Sequence, residues 1–207
     1  MTRTKQPVHV PHRIAFRPKN LRGVALGLTM KALLTFLGLV FLIAGCATRP
    51  RGFPAREGIA NFDLVNEHLY RGAQPNALGI ANLERLGIKT IINLRMPAET
   101  WATEDKEASR HGITYTNVPM KGFGRPTDEQ VANVLSIINA SQSPIFIHCQ
   151  HGCDRTGTII ACYRIAHDGW TSDKALTEAR LYGMSAWELG MKNYVRSFGK
   201  DRKAELK

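Results

Sequence analysis

Apolar and polar positions follow two periods from residue 61 onward. Short β-branched or alternating runs predict strands at 62–65, 68–71, 89–94, 113–118 and 144–148. Helical periodicity predicts helices at 75–86, 97–111, 155–168, 172–182 and 186–198, and another after Thr127, which forms a capping box with Gln130. This alternation predicts an α/β fold with a central, mainly parallel sheet of four or five strands flanked by helices.

The N-terminal pattern is different. Residues 32–44 form an apolar run of 13, shorter than the roughly 20 residues that span a bilayer. Positive charge precedes the run and small residues follow it, as in a secretory signal, although a transmembrane anchor is the alternative. The end of the run, Ile-Ala-Gly-Cys46, resembles the lipobox of bacterial lipoproteins. The resemblance implies cleavage before Cys46, lipidation of Cys46 and an envelope protein facing the periplasm, with Ala47 favouring the outer membrane.

These patterns divide the chain into four segments. Residues 1–45 are an N-terminal extension and signal, within which Met30 is an alternative start, and 46–60 are a tether rich in Pro, Gly and Arg. Residues 61–198 are one folded domain, and 199–207 are a charged tail.

The charge is concentrated at one end of the chain. The net charge is +11, but residues 1–45 carry seven Lys or Arg and no acid, which leaves 21 basic and 17 acidic residues elsewhere. The folded part has no concentrated basic run, so the sequence predicts no nucleic-acid partner.

The sequence IFIHCQHGCDRTG, residues 145–157, places chemistry on a strand–helix turn. Such a turn presents backbone N–H groups and the positive end of a helix dipole, which together bind anions. Gly152 permits a tight backbone, and Arg155 offers a planar fork for two phosphate oxygens. The same positive environment favours the thiolate of Cys149, placed for in-line attack on a bound phosphate monoester.

The pattern His148-Cys149-x-x-Gly152-x-x-Arg155-Thr156-Gly157 resembles the signature of cysteine-dependent protein tyrosine and dual-specificity phosphatases. Residues 69–75, LYRGAQP, and 86–95 resemble the front half of small atypical members of that family. The resemblance implies a phosphorylated protein or small phosphoester as substrate, with no cofactor and no metal.

The family's roles transfer to this chain by position. The resemblance implies that Cys149 forms a phosphocysteine, Arg155 binds the phosphoryl oxygens, Thr156 donates a hydrogen bond to the sulfur, and His148 orients the loop. Substrate binding by the loop is then assigned to residues whose amides face the phosphoryl group, namely Gln150, His151, Gly152 and Cys153.

The general acid is the open question. Typical members have an Asp roughly 30 residues before the cysteine, but residues 118–126 contain no carboxylate. Asp154, inside the loop, is favoured over Asp128, which could instead serve as a first-turn helix acid. A good leaving group such as a pyrophosphate, which needs no strong acid, is a third possibility.

The residues of this loop also allow other functions. A metal site at His148, Cys149, His151 and Cys153 is disfavoured, because such closely spaced ligands converge poorly on one ion. A Cys149–Cys153 disulfide could protect the thiolate. The chain could also be an inactive phosphate-binding module, or could act on phosphoinositides or inositol pyrophosphates.

The opening of the active site is expected to be lined by residues of the flanking loops, namely Lys121, Phe123, Arg125 and Arg95.

Overall fold

A computed structural model describes residues 52–205, which contain a five-stranded sheet. The strands are β1 (Asp63–Asn66), β2 (Leu69–Ala73), β3 (Thr90–Asn93), β4 (Thr114–Asn117) and β5 (Ile145–Cys149). Their order across the sheet is β1-β2-β5-β3-β4, and every neighbouring pair except β1–β2 is parallel. The predicted α/β fold with a mainly parallel sheet is therefore confirmed.

Six α-helices cover the sheet within the described residues. They are α1 (Ala77–Arg85), α2 (Glu104–Arg110), α3 (Asp128–Ala140), α4 (Asp154–His167), α5 (Ser172–Leu181) and α6 (Leu189–Glu205). The predicted capping box opens α3, because Thr127 accepts from the Gln130 amide and the Gln130 side chain accepts from the Thr127 amide. Within residues 52–205, no helix combines the length and apolar character needed to cross a membrane.

Alternation along β5 divides the interior into two apolar clusters. Ile145, Ile147 and Cys149 belong to the larger cluster, which also includes residues of α3, α4, α5 and α6. Phe146 belongs to the smaller cluster, with residues of α1 and α2. Because side chains alternate across a strand, His148 lies on the Phe146 face and Cys149 on the other.

The prediction of one helix over 97–111 is wrong. The segment forms a 3-10 turn at Pro97–Glu99 and then, after a break, helix α2 from Glu104. Thr100 is extended, with φ −75° and ψ 151°, and its hydroxyl accepts a hydrogen bond of 2.7 Å from Asn93 Nδ2. This tertiary contact fixes the break, which periodicity does not reveal.

Two boundaries also differ from expectation. Ile59, placed in the tether by its Pro- and Gly-rich surroundings, is fully buried in the smaller cluster. Phe53 packs edge-on against Tyr182, with ring centroids 4.9 Å apart, so the domain begins before residue 61. At the other end, α6 continues through the charged tail to Glu205.

Candidate active site

The loop that runs from Cys149 to Arg155, the Cys149 loop, lies at the carboxyl edge of the sheet. Cys149 ends β5, and α4 begins five residues later at Asp154. The parallel neighbours β2 and β3 end at the same edge, with Ala73 beside Cys149 and Asn93 beside His148. Ligands bind at this edge in open α/β sheets, so the predicted location agrees with the fold.

Gly152 allows the loop to approach β2 closely. Its φ is +68°, and a Cβ built on it would lie 2.5 Å from the carbonyl carbon of Gly72. A side chain at position 152 would therefore combine a left-handed backbone with a clash against main chain. The structure explains why a glycine stands at this position of the loop.

Residues 69–75, LYRGAQP, hold the Cys149 loop in place through hydrogen bonds to its carbonyl groups. Arg71 Nη2 donates to the Gly152 carbonyl at 2.9 Å, and the Gln74 amide donates to the Gln150 carbonyl at 3.3 Å. The Arg71 guanidinium also lies 3.6 Å from the ring centroid of Tyr182. Its burial, with 1% exposed, lowers the pKa of Arg71. Sequence reasoning matched this segment to the family but did not identify Arg71 as a site residue.

A cavity of about 220 Å³ opens above the loop. It contains the predicted nucleophile and the predicted phosphate-binding arginine in one space. Its lining consists of Glu99, Gly122, Cys149, Gln150, His151, Asp154 and Arg155. Cys149 is 3% exposed and Arg155 is 5% exposed, so both groups lie at the floor.

Glu99 is a second site residue, besides Arg71, that the sequence pattern did not indicate. Its Oε2 lies 2.8 Å from Arg155 Nη1, which also donates to the Met120 carbonyl at 3.2 Å. The Arg155 side chain is 6% exposed and that of Glu99 is 37% exposed, so the carboxylate lies on the solvent side of the pair. The predicted continuous helix would not have indicated this position.

The two acids considered from sequence lie in different surroundings. Asp154 lines the cavity, and its Oδ1 accepts a hydrogen bond of 2.8 Å from the Ser185 amide. Asp128 hydrogen-bonds Tyr194 and lines a separate cavity with Arg125. The structure thus brings Asp154 to the Cys149 cavity and places Asp128 elsewhere.

A buried pair supports His148 from the other face of the sheet. His148 Nε2 lies 3.0 Å from Glu104 Oε1, and neither side chain is exposed. The other Glu104 oxygen accepts from Asn93 Nδ2 at 3.1 Å and from the Tyr115 hydroxyl at 3.2 Å. These contacts fix the Glu104 carboxylate beside the imidazole, and the expected role of His148 in orienting the loop stays a prediction.

Thr156 lies in the first turn of α4 and is fully buried. Its Oγ1 has no hydrogen-bond partner among the described residues. A buried hydroxyl without a partner is costly, unless the reaction supplies one. Donation to a sulfur in the site would do so, and that role for Thr156 stays a prediction.

The three cysteines in the described part of the chain, Cys149, Cys153 and Cys162, are buried free thiols. Cys153 Sγ accepts a hydrogen bond of 3.2 Å from Asn61 Nδ2, which also donates to the His151 carbonyl. Burial raises the pKa of Cys162, which packs in the larger cluster. In residues 52–205, no group of three or more His, Cys, Asp or Glu residues is arranged to hold a metal ion.

The mouth differs in part from expectation. Phe123 is 69% exposed. Arg125 lies over the Tyr194 ring, with 4.7 Å between Cζ and the ring centroid, and does not line the Cys149 cavity. Arg95 Nη1 donates to Gln74 Oε1 at 3.0 Å, so it supports a residue that holds the loop.

Comparison with known proteins agrees with this geometry. A family model described as "DSP-PTPase phosphatase fused to NAD+ Kinase" matches residues 54–197. The dual specificity protein phosphatase TpbA of Pseudomonas aeruginosa PAO1 is 33% identical over 141 residues, which cover 64% of this chain and 59% of TpbA. The match therefore spans less than two thirds of that relative.

Solved structures are similar over most of their length. P. aeruginosa TpbA in complex with pTyr has a TM-score of 0.60 and 25% identity, covering 76% of this chain and 98% of that chain. The core catalytic domain of the PP-IP phosphatase SIW14 from S. cerevisiae, in complex with citrate, has a TM-score of 0.63 and 25% identity, covering 73% and 93%.

Proposed function

The chain belongs to the DSP-PTPase family of cysteine-dependent phosphatases, and we propose that it hydrolyses phosphate monoesters through a phosphocysteine intermediate. The observation that carries the proposal is the shared cavity of Cys149 and Arg155 at the start of α4. A thiolate there attacks phosphorus while the guanidinium and loop amides bind the phosphoryl oxygens.

The test is phosphate release from 4-nitrophenyl phosphate by the purified chain, with a chelator and a thiol reductant present. We expect turnover that disappears in Cys149→Ser and falls by several orders of magnitude in Arg155→Met. Phosphate or vanadate binding without turnover would instead support the inactive phosphate-binding module.

For the substrate, we favour a phosphorylated protein of the phosphotyrosine or dual-specificity type. The TpbA complex with pTyr supports this choice. The similarity to SIW14, named as a PP-IP phosphatase, supports inositol pyrophosphates as the second candidate. Comparing kcat/KM for phosphotyrosine and phosphoserine peptides, a phosphoinositide and an inositol pyrophosphate separates these possibilities.

We also propose that the domain is anchored to a bacterial envelope membrane, facing the periplasm, through lipidated Cys46. The apolar run at 32–44 and the lipobox-like sequence ending at Cys46 support this proposal, and both lie outside the described residues. Metabolic labelling with an alkyne fatty acid should mark the wild-type chain and not Cys46→Ser. Equal labelling of both, or of neither, would exclude Cys46 as the lipidation site.

A further inference from the structure

Three carboxyl groups can be compared for the role of general acid: Asp154, Asp128 and Glu99. Asp154 already uses one carboxylate oxygen to fix the Ser185 amide at 2.8 Å. Asp128 interacts with Tyr194 outside the Cys149 cavity. Glu99, in contrast, lines that cavity, and its carboxylate contacts the Arg155 guanidinium at 2.8 Å.

We propose that Glu99 is the general acid: it pairs with Arg155 in the ligand-free site and protonates the leaving oxygen once the phosphoryl group occupies Arg155. This inference rests on the proposed phosphatase function. It places the general acid in the turn after β3, whereas the family pattern would place it within residues 118–126.

Electrostatics connects the two states of Glu99. A bound phosphoryl group accepts the hydrogen bonds of the Arg155 guanidinium in place of Glu99. It also brings negative charge next to the Glu99 carboxylate, which favours a proton on that carboxyl group. The Glu99 side chain is 37% exposed, so solvent can supply the proton. The buried guanidinium stays in place to bind the phosphoryl oxygens.

The proton and electron pairs balance over the two steps. The Cys149 sulfur forms a bond to phosphorus as the ester P–O bond breaks, and the leaving oxygen takes its proton from Glu99. The Glu99 carboxylate then accepts a proton from the water that attacks the phosphocysteine. The S–P bond breaks, which restores the thiolate and releases inorganic phosphate, whereas the alcohol or phenol is released in the first step.

Gly122 leaves space for this arrangement. A Cβ built on Gly122 would lie 3.9 Å from both Glu99 Oε1 and Arg155 Nη2, which is an ordinary contact distance. Gly122 belongs to the segment in which typical relatives carry their acid. A carboxylate at position 122 would therefore reach the same region that Glu99 occupies, and Glu99 substitutes for the missing side chain.

The test uses leaving groups of different basicity with Glu99→Gln. We expect this variant to lose about 10²–10⁴-fold in kcat/KM on phenyl phosphate, and less than about tenfold in kcat/KM on 2,4-dinitrophenyl phosphate, whose leaving group needs little protonation. Asp105→Asn, which changes an exposed acid of α2, is the matched control and should leave both rates unchanged. Adding Gly122→Asp to Glu99→Gln should restore part of the phenyl phosphate rate.

Two results would overturn the inference. Equal losses on both esters, with weaker vanadate inhibition, would make Glu99 a positioning residue for Arg155. An unchanged Glu99→Gln, with leaving-group dependence in Asp154→Asn, would move the proton to Asp154. Wild-type turnover of the dinitrophenyl ester tests the proposed function separately, since its absence would remove the phosphatase activity itself.

Discussion

Arg71 donates a 2.9 Å hydrogen bond to the carbonyl oxygen of Gly152, so a buried cation on β2 holds the loop that follows β5. The Arg71 Nε and Nη1 atoms have no hydrogen-bond partner among the described residues. Burying a charge whose Nε and Nη1 atoms lack hydrogen-bond partners within residues 52–205 destabilises the fold. We interpret Arg71 as an electrostatic contribution to anion binding, since it contacts the loop carbonyl of Gly152 and its charge interacts with Tyr182, Glu178 and, at the loop, Cys149 and Cys153.

Arg71→Met should therefore weaken anion binding while the chain stays folded. We expect the inhibition constant for vanadate to rise at least about tenfold. The free energy of unfolding should change by less than about 2 kcal/mol, because the lost hydrogen bond and the relieved burial of charge oppose each other. Vanadate inhibition and urea unfolding measure the two effects. Arg71→Lys keeps the charge and should bind vanadate better than Arg71→Met, and unchanged inhibition in Arg71→Met would contradict the interpretation.

Gly152→Ala separates the clash with β2 from backbone strain. Gly169 has the same φ of +68°, but a Cβ built on it meets nothing within 4 Å, so Gly169→Ala is a matched control. The control should lose about 1–2 kcal/mol from the left-handed conformation alone. Gly152→Ala should lose about 1–3 kcal/mol more and lose phosphatase turnover, because the loop must move away from Gly72. Equal stabilities by urea unfolding would show that the loop absorbs the added methyl group.

The loop could be predicted from sequence because its chemistry is local. Cys149, Gly152 and Arg155 lie within seven residues, and the strand and helix on either side have clear periodicity. Glu99 could not be predicted, because the break that places it depends on the contact between Thr100 and Asn93, which only the folded sheet brings together.

The burial of Ile59 and Arg71 could not be predicted from the sequence either. Ile59 follows a run rich in Gly, Pro and Arg, yet it packs where Gly72 and Gly79 leave room, with built Cβ positions 2.8 and 2.9 Å from its side chain. Arg71 ends the strand predicted at 68–71, and arginine is mostly exposed in folded proteins, yet Arg71 is 1% exposed. Both outcomes come from contacts between distant segments, for which a periodic pattern carries no information.

Glu104 should be essential to the stability of the network behind His148. Glu104→Ala removes the carboxylate beside a fully buried imidazole and the acceptor of the Tyr115 hydroxyl, so we expect a loss of about 3–5 kcal/mol in the free energy of unfolding. Glu104→Gln keeps the shape and some hydrogen bonds, and should lose less. Urea unfolding measures both variants.

The control for Glu104 lies on the same helix. Glu107 forms a 2.8 Å ion pair with Arg110, which is largely exposed, so Glu107→Gln should change the free energy of unfolding by less than about 1 kcal/mol. A Glu104→Ala variant as stable as Glu107→Gln would show that the His148 pair does not hold the fold together.

Tyr115 should make the fold sensitive to alkaline pH. Its burial raises its pKa to about 12, and its hydroxyl accepts from Asn93 Nδ2 at 2.6 Å and donates to Glu104. The folded state then keeps the phenolic proton at a pH where the unfolded chain has lost it, near 10. The stabilisation is complete below about pH 10 and decreases as the pH rises from about 10 towards 12.

Tyr115→Phe should be less stable than wild type at neutral pH, because the Asn93 and Glu104 hydrogen bonds are lost. The difference in the free energy of unfolding between the two chains should narrow above about pH 10. Ionisation of Tyr115 there stabilises the unfolded state of the wild-type chain only. Urea unfolding of both chains between about pH 8 and 11.5 measures the difference, and the comparison cancels the effects of Tyr182 and Tyr194, whose pKa values burial also raises. A constant difference across this range would show that Tyr115 does not titrate with folding.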